Sequence, residues 1–252
     1  MFEVSFDLLV LLIAAGFLAG FIDAVAGGGG LITVPTLLLA GADPVTALAT
    51  NKVQGVFGAG TAAVSYARGG HVKLRRQLWP ATIAFGAAMA GALLVTVLPT
   101  DAIRLFLPIL LIGIAIFFAT KKGLGDGDRQ QRLSPALFAA TAVPLCAAYD
   151  GVLGPGAGSF YMLSFVSLAG YGILKATAHT KLLNFASNLG GLTVFALVAT
   201  PWWMTGLAMA AAQIAGAQCG AALAQKIGAR LIKPLLVATS LILAAKLLWE
   251  MF

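Results

Sequence analysis

Charged residues are what this sequence has least of. Of its 252 residues, 16 are Lys or Arg and 9 are Asp or Glu, so 10% carry charge, against roughly a quarter in an ordinary soluble domain. Hydrophobic residues make up 60% of the chain, which leaves too little polar surface to cover a water-soluble particle. This composition excludes a soluble enzyme and indicates a membrane protein.

Cysteine and a basic N-terminal segment are also lacking. The two cysteines, Cys146 and Cys219, lie in apolar stretches, which favours packing roles over a disulfide or a metal site. No Lys or Arg precedes Lys52, so the chain lacks the basic start of a cleaved signal peptide, and we expect the first apolar run to be retained.

The basic residues are dispersed among apolar runs, so nucleic acid is not an expected partner. We expect no metal and no cofactor.

The apolar runs predict a single transmembrane domain, residues 1–252, of about eight helices. A helix needs about 20 apolar residues to cross the hydrocarbon core, which leaves room for roughly eight. The runs 31–40 and 159–170 are too short to span, and each follows a glycine-rich stretch, 27–30 or 154–158, where a helix does not easily continue. We predict a polytopic all-α membrane protein in which the first helix of each half is broken at its glycine-rich motif.

The second half of the sequence resembles the first. Asp23 matches Asp150 at an offset of 127 residues, with the same spacing to a following glycine, and Lys52 matches Lys181 at an offset of 129. We therefore predict two related units, residues 8–119 and 135–250. The hydrophilic stretch 120–134 between them is predicted to be a cytoplasmic linker.

Basic residues predict how the units are oriented, because Lys and Arg near span ends stay on the cytoplasmic side. If each broken helix enters and leaves on one side, the two units are inverted and both termini are periplasmic. Arg104 and Lys246 are then the only basic exceptions outside. The alternative, that one broken helix spans fully and the charge pattern is imperfect, stays open. In the inverted arrangement the acidic Glu3, Asp7, Asp43, Asp101 and Glu250 lie outside, and the basic residues inside are Arg68, Lys73, Arg75, Arg76, Lys121, Lys122, Arg129, Arg132, Lys175, Lys226, Arg230 and Lys233.

Four ionisable residues fall at membrane depth: Asp23, Lys52, Asp150 and Lys181. A charge at the bilayer centre costs about 2.5 to 3.5 kcal/mol even on the lenient scale, so such residues face a partner or a watery cavity. In one interpretation each Asp neutralises a Lys and holds helices together. In the other, the four belong to a transport site, where the carboxylates hold the lysines when the site is empty or exchange protons.

The glycine breaks favour an anion site. A helix that begins after a break presents free N–H groups and a positive dipole end, and glycine lets a ligand approach the backbone. Broken helices in paired repeats are how many secondary transporters build midplane sites. The alternative is that the asparagine and glutamine side chains only form hydrogen bonds between helices and bind no ligand. His179 is included as a residue that titrates near neutrality. The candidate substrate-binding residues are Gly27, Gly28, Gly29, Gly30, Asn51, Lys52, Gln54, Gly154, Gly156, Gly158, Ser159, Thr180, Lys181, Asn184 and Asn188, and the candidate coupling or ion-pairing residues are Asp23, Asp150 and His179.

These motifs resemble those of a known family. Residues 20–35 (GFIDAVAGGGGLITVP), 49–52 (ATNK), 149–158 (YDGVLGPGAG) and, more loosely, 180–184 (TKLLN) are similar to the sulfite exporter TauE/SafE family, also called the toluene sulfonate uptake permease family. The resemblance covers nearly the whole chain. It implies an inner-membrane transporter with duplicated helical units, associated with export or uptake of sulfite, sulfonates and other small sulfur-containing anions.

We therefore expect a secondary transporter for a small, sulfur-containing organic or inorganic anion. A passive anion channel and a non-transport membrane subunit are the alternatives. We do not expect an enzyme, since the sequence has no Cys and His cluster, no Ser and His pair in a recognisable context and no paired carboxylates in one segment. Besides the substrate and the bilayer, a coupled proton and a second copy of the chain are expected as partners, because small-residue motifs at 86–91 and 216–220 permit close helix contact within the chain or across a dimer.

Overall fold

The computed structural model describes residues 2–94, 112–113, 116–120 and 124–249, and in these ranges its regular structure is helical throughout. A short 3₁₀ turn, Leu74–Gln77, precedes α4. The predictions for Asp101, Arg104, Lys121, Lys122 and Glu250, and most of residues 95–119 of the first predicted unit, lie outside the described residues. The helices with described bounds are α1 (Phe6–Ala26), α2 (Gly30–Leu39), α3 (Pro44–Arg68), α4 (Leu78–Leu94), α5 (Pro135–Ala140), α6 (Ala142–Val152), α7 (Ala157–Ser167), α8 (Ile173–Val198), α9 (Trp203–Ile227) and α10 (Ala229–Trp249).

Several helical segments are long and apolar enough to cross a membrane. By length and composition these are Phe6–Ala26, Leu74–Leu94, Pro135–Val152, Ile173–Val198 and Trp203–Ile227. Helix α3 is as long as α9 but less apolar, because Asn51, Lys52 and Gln54 lie within it. The all-α, polytopic class predicted from composition is confirmed.

Both predicted breaks are present. Helix α1 ends at Gly27, which has a left-handed φ of 80°, and the ten-residue α2 follows. Helix α6 ends before Gly154, and α7 begins after Gly156, whose φ is 82°. Left-handed backbone of this kind suits glycine because other residues carry a Cβ. One further break, between α5 and α6 at Thr141, was not predicted. Pro144 explains it, since proline removes a helical hydrogen bond and crowds the preceding turn.

In each half, the helix before the glycine break packs against a helix of the other half. Helix α1 lies along α9, and residue numbers rise in the same direction on both, so these two helices are parallel. Helix α6 lies along α4, where Gly91 approaches Ala148 and Gly151 approaches Ala88. Gly91, Gly216 and Gly220 of the small-residue motifs are therefore used for contact within the chain, whereas Gly86 has open space around it. Four glycines bring the α1 and α9 backbones together: Gly16 against Met209, Gly20 against Gln213, Gly216 against Phe17 and Gly220 against Phe21.

Each broken helix begins and ends at the same end of the bundle. In the second half, the amides of Arg132 and Leu133, just before α5, donate to the Leu168 carbonyl just after α7, at 2.9 and 3.0 Å. In the first half, Val4 before α1 and Ala40 after α2 pack against one apolar cluster. Neither broken helix thus carries the chain from one end of the bundle to the other.

The linker defines one end of the bundle. The Asp126 carboxylate accepts hydrogen bonds from the amides of Leu174 and Ala229, at the starts of α8 and α10. Asp128 accepts from Lys175 and from the Gly172 amide. Burial raises the pKa of Asp128, but these hydrogen bonds outweigh burial and hold the pKa below its ordinary value. The linker is therefore fastened to the starts of two helices.

The N-terminus lies at the opposite end. The Glu3 carboxylate accepts hydrogen bonds from the amides of Met204 and Thr205, in the first turn of α9. Because α1 and α9 are parallel, both begin at this end, whereas α5, α8 and α10 begin at the linker end. The broken helices of the two halves therefore start from opposite ends of the bundle.

Candidate functional site

The two glycine breaks touch each other. A methyl group added to Gly27 would lie 2.5 Å from the Gly158 carbonyl carbon, closer than real side chains approach a backbone. The Ser159 hydroxyl donates to the Ala26 carbonyl at 3.1 Å, which joins the start of α7 to the end of α1. Only glycine permits this contact, so the two motifs that the sequence singled out form one structural unit.

Lys52 pairs with the aspartate of the other half. Its Nζ lies 2.5 Å from Asp150 Oδ1 and donates to the Asp150 carbonyl at 2.5 Å. The second carboxylate oxygen, Oδ2, accepts from Asn184 Nδ2 at 2.9 Å and from the Ser187 hydroxyl. Both charged side chains are buried, at 0% and 1% exposure. Every oxygen of Asp150 is thus occupied, and the pair ties α3 to α6 and α8.

Lys181 pairs with Asp23, also across the halves, but more loosely. Its Nζ lies 3.5 Å from Asp23 Oδ2 and donates to the Asp23 carbonyl. Asp23 Oδ1 accepts from the Gly29 amide at 3.4 Å, and its side chain is 13% exposed. The sequence left open whether each Asp neutralises a Lys or belongs to a transport site, and both Asp–Lys pairs are present. The exchange of partners between halves could not be predicted, because it depends on how the units pack.

A small polar cleft lies between the breaks. Its volume is about 20 Å³, which is room for about one water molecule. In the described part of the chain, no three His, Cys, Asp or Glu side chains gather as metal ligands would. The cleft is lined by Asp23, Gly27, Gly29, Gly30, Asn51, Gly55, Asp150, Gly154, Gly156, Gly158, Asn184, Asn188 and Gln213.

Some predicted binding residues support this lining instead of forming it. Lys52 and Lys181 hold the lining aspartates, and Ser159 joins the two breaks. Gln54 Nε2 donates to Asn51 Oδ1 at 3.4 Å, while the Thr180 hydroxyl donates to its own helix, at Ala176. Gly28 is likewise outside the lining.

His179 lies away from the ion pairs with which it was grouped. Its ring stacks edge-on against Tyr171, with ring centres 4.8 Å apart, and Nδ1 is 2.9 Å from the Lys175 carbonyl. Residues two positions apart on a helix do not face the same way, so Lys181 and His179 point to different neighbours. His179 is therefore outside the cleft lining, and its role as a coupling or ion-pairing residue stays a prediction.

Two lining residues were missed from the sequence, Gly55 and Gln213. Gln213 is the more informative, because its side chain is 4% exposed and Oε1 has no hydrogen-bond partner among the described residues. The signal available was an amide in the middle of the apolar run of α9, which also carries Gln218 and Gln225. At the repeat offset of 129 residues its equivalent is alanine, Ala84, so the repeat does not point to it.

Comparison with known proteins gives consistent matches over nearly the whole chain. The family described as Sulfite exporter TauE/SafE matches residues 12–247. Probable membrane transporter protein ORF9 of Sinorhizobium sp is 52% identical over 246 residues, covering 98% of this chain and 94% of that protein. Probable membrane transporter protein YfcA of Escherichia coli K12 is 45% identical over 250 residues, covering 99% and 93%. A probable membrane transporter protein of Haemophilus influenzae is 41% identical over 249 residues, covering 98% and 97%. No solved structure gives a significant match.

Proposed function

Because the chain belongs to the sulfite exporter TauE/SafE family and is a multi-pass membrane transporter, we propose that it is a secondary transporter for a small sulfur-containing anion, such as sulfite or a sulfonate, in the inner membrane. The observation that supports this most is the contact between Gly27 and Gly158 beside both cross-paired lysines. It brings two helix starts to one cleft, whose lining aspartates hold the two lysines.

The chemistry of the cleft suits a small oxyanion. Helices α2 and α7 begin at the cleft, and the first amides of a helix, here including those of Gly30 and Gly158, have no acceptor in the preceding turn. The positive end of each helix dipole favours a negative ligand. The side-chain amides of Asn51, Asn184 and Asn188 supply further donors that can orient the ligand.

The charges around the cleft predict a coupling ion. Two lysines and two aspartates form two pairs, so the site is neutral when empty. An entering anion would be an unpaired charge in a buried place, which costs several kcal/mol. For a singly charged anion, protonation of one aspartate removes that penalty and frees its lysine for the anion. We propose that the anion moves together with a proton.

The size of the cleft favours a carrier over a channel. A volume of about 20 Å³ is too small for sulfite, which is larger than a water molecule. The helices around the cleft must move apart to admit the anion, as they do when a transporter alternates between its two access states. A channel would instead require an open path through the bundle.

The orientation in the membrane is also a proposal. We place the linker end in the cytoplasm and the N-terminal end in the periplasm. This puts Arg129, Arg132 and Lys175 inside, as basic residues prefer, and Glu3 outside. The C-terminal helix α10 starts at the linker end, so the C-terminus is proposed to be periplasmic too.

Uptake into proteoliposomes tests the function. The wild type is expected to accumulate radiolabelled sulfite when a pH gradient is imposed, whereas Lys52→Ala and Lys181→Ala lose most of this uptake. Lys175→Ala is the matched control, since Lys175 lies on the same helix as Lys181 in a half-exposed pair with Asp128. Uptake by Lys181→Ala at the wild-type rate would remove the proposed site.

The substrate is identified by thermal shift. Purified protein is screened with sulfite, sulfate, thiosulfate, sulfonates and carboxylates, because a ligand that binds only the folded state raises the melting temperature. We expect shifts with small sulfur-containing anions that disappear in Lys181→Ala.

Electrical currents far above carrier turnover would indicate the channel alternative instead.

A further inference from the structure

Gln213 is a buried amide whose Oε1 has no hydrogen-bond partner in the described part of the chain. It lies in the middle of α9, its side chain is 4% exposed, and it forms part of the cleft wall. A buried polar atom without a partner costs free energy, so its presence calls for an explanation.

Two neighbouring helices make room for this side chain. A methyl group on Gly58 of α3 would lie 2.6 Å from Gln213 Nε2, and one on Gly20 of α1 would lie 2.8 Å from Cγ. Any larger residue at either position would displace the amide. The packing of α1 and α3 therefore directs Gln213 into the cleft.

The amide lies on the less occupied side of the cleft. Asn184 and Ser187, the partners of Asp150, correspond at the offset of 129 residues to Gly55 and Gly58. Asp23 consequently lacks the two partners that Asp150 has. The amide of Gln213 lies in the space that glycine leaves at position 58.

The ion pair on the Asp23 side is also the looser and more exposed of the two. Asp23 is 13% exposed and 3.5 Å from Lys181, whereas Asp150 is 1% exposed and 2.5 Å from Lys52. An incoming ligand meets an aspartate with spare hydrogen-bonding capacity only on the Asp23 side. The unpartnered amide of Gln213 thus lies on the same side of the cleft as the looser Asp23–Lys181 pair, where Asp23 lacks the partners that Asp150 has.

We infer that Gln213 binds the transported oxyanion directly, beside the Asp23–Lys181 pair, and so determines which anions the cleft accepts. This inference rests on the proposed function. Rotation of the side-chain amide presents Nε2 to an anionic oxygen or Oε1 to a protonated one. The Lys52–Asp150 pair then keeps its bonds while the anion is bound.

Two near-isosteric variants test the inference. Gln213→Leu keeps the volume but removes the amide, and Gln213→Glu puts a carboxylate in its place. Gln225→Leu is the matched control, because Gln225 lies on the same helix, away from the cleft, and bonds to Ser65 and to the Ala221 carbonyl. The probe is sulfite, with methanesulfonate as a second anion, and the readouts are the Kd and the melting temperature without ligand.

We expect Gln213→Leu to raise the Kd for sulfite about tenfold or more, since a hydrogen bond to a charged ligand is lost. Its melting temperature without ligand should stay the same or rise, because the substitution removes no hydrogen bond among the described residues. Gln213→Glu should abolish binding, and Gln225→Leu should leave the Kd unchanged.

A purely structural role for Gln213 gives the opposite pattern. Wild-type affinity in Gln213→Leu, or a lower melting temperature with unchanged affinity, would overturn the inference and leave the proposed transport function standing. If the wild type binds neither anion nor any other in the thermal-shift screen, the proposed function and this inference fall together.

Discussion

At the scale of single residues, the two lysines of the cleft have different surroundings. Lys52 is buried against an aspartate whose oxygens all have partners. Lys181 is equally buried, but its aspartate borders the cleft with fewer bonds. Lys52 is therefore expected to contribute mainly to the integrity of the site, and Lys181 mainly to exchange with the anion.

Lys52→Met is expected to destabilise the protein by about 3 to 5 kcal/mol, because it leaves the Asp150 carboxylate buried without a counter-charge. The double variant Lys52→Met/Asp150→Asn should recover most of this loss, since it removes the unpaired charge. The measurement is unfolding in detergent. Lys175→Met, in an exposed pair, should cost no more than about 1 kcal/mol. Equal stability of the single and double variants would contradict the ion-pair account.

Single-residue chemistry was only partly predictable from the sequence. Asp23, Lys52, Asp150 and Lys181 stood out because charge is rare in apolar runs. Gln213 did not, because an amide in an apolar helix is also a common hydrogen-bonding residue, and its position beside Gly20 and Gly58 depends on how three helices pack.

At the scale of elements, the broken helices are set by glycine. Gly27 and Gly156 adopt left-handed backbone, and Gly158 has no room for a side chain. These are separate requirements, one conformational and one steric. Both requirements are met within the two glycine-rich motifs, residues 27–30 and 154–158.

Gly158→Ala is expected to disrupt the site, because its methyl group would lie 2.8 Å from the Gly27 carbonyl oxygen and backbone would have to move. We expect loss of sulfite uptake together with a lower melting temperature. Gly86→Ala is the control: it has open space around it within α4, and alanine favours a helix by about 1 kcal/mol. An active, fully stable Gly158→Ala would show that the breaks need not touch.

Element boundaries were predictable where glycine interrupts an apolar run, and less so elsewhere. The break at Thr141 was missed because a single proline, Pro144, can either kink or end a helix. Helix α3 was expected among the spanning runs and is long enough to span, yet its polar residues face neighbouring helices and lower its hydropathy.

At the scale of the whole molecule, the directions of the helices set the topology. Contacts place the N-terminus with the start of α9 and the linker with the starts of α8 and α10. Composition could predict the membrane class, and basic residues could suggest an orientation. The helix against which each broken helix packs can be identified only from the three-dimensional contacts.

Labelling of single cysteines tests the proposed orientation. In a background without Cys146 and Cys219, Ser5→Cys is expected to react with a membrane-impermeant reagent added to spheroplasts, and Gly127→Cys only in inside-out vesicles. Ser5 is exposed and makes no capping hydrogen bond, and Gly127 has open space around it, so both substitutions should be tolerated. Labelling of both positions from the same side of the membrane would contradict the placement of Ser5 and Gly127 at opposite ends of the bundle.

The central claim is that one anion binds between the touching glycine breaks and brings a proton with it. Calorimetric titration of purified protein with sulfite, repeated in buffers of different ionisation enthalpy, measures both quantities at once. The account predicts saturable binding of about one anion per chain with uptake of about one proton for each negative charge of the bound anion, both lost in Lys181→Ala, since the neutral site must stay neutral. Saturable binding without proton uptake, or undiminished binding in Lys181→Ala, would contradict it.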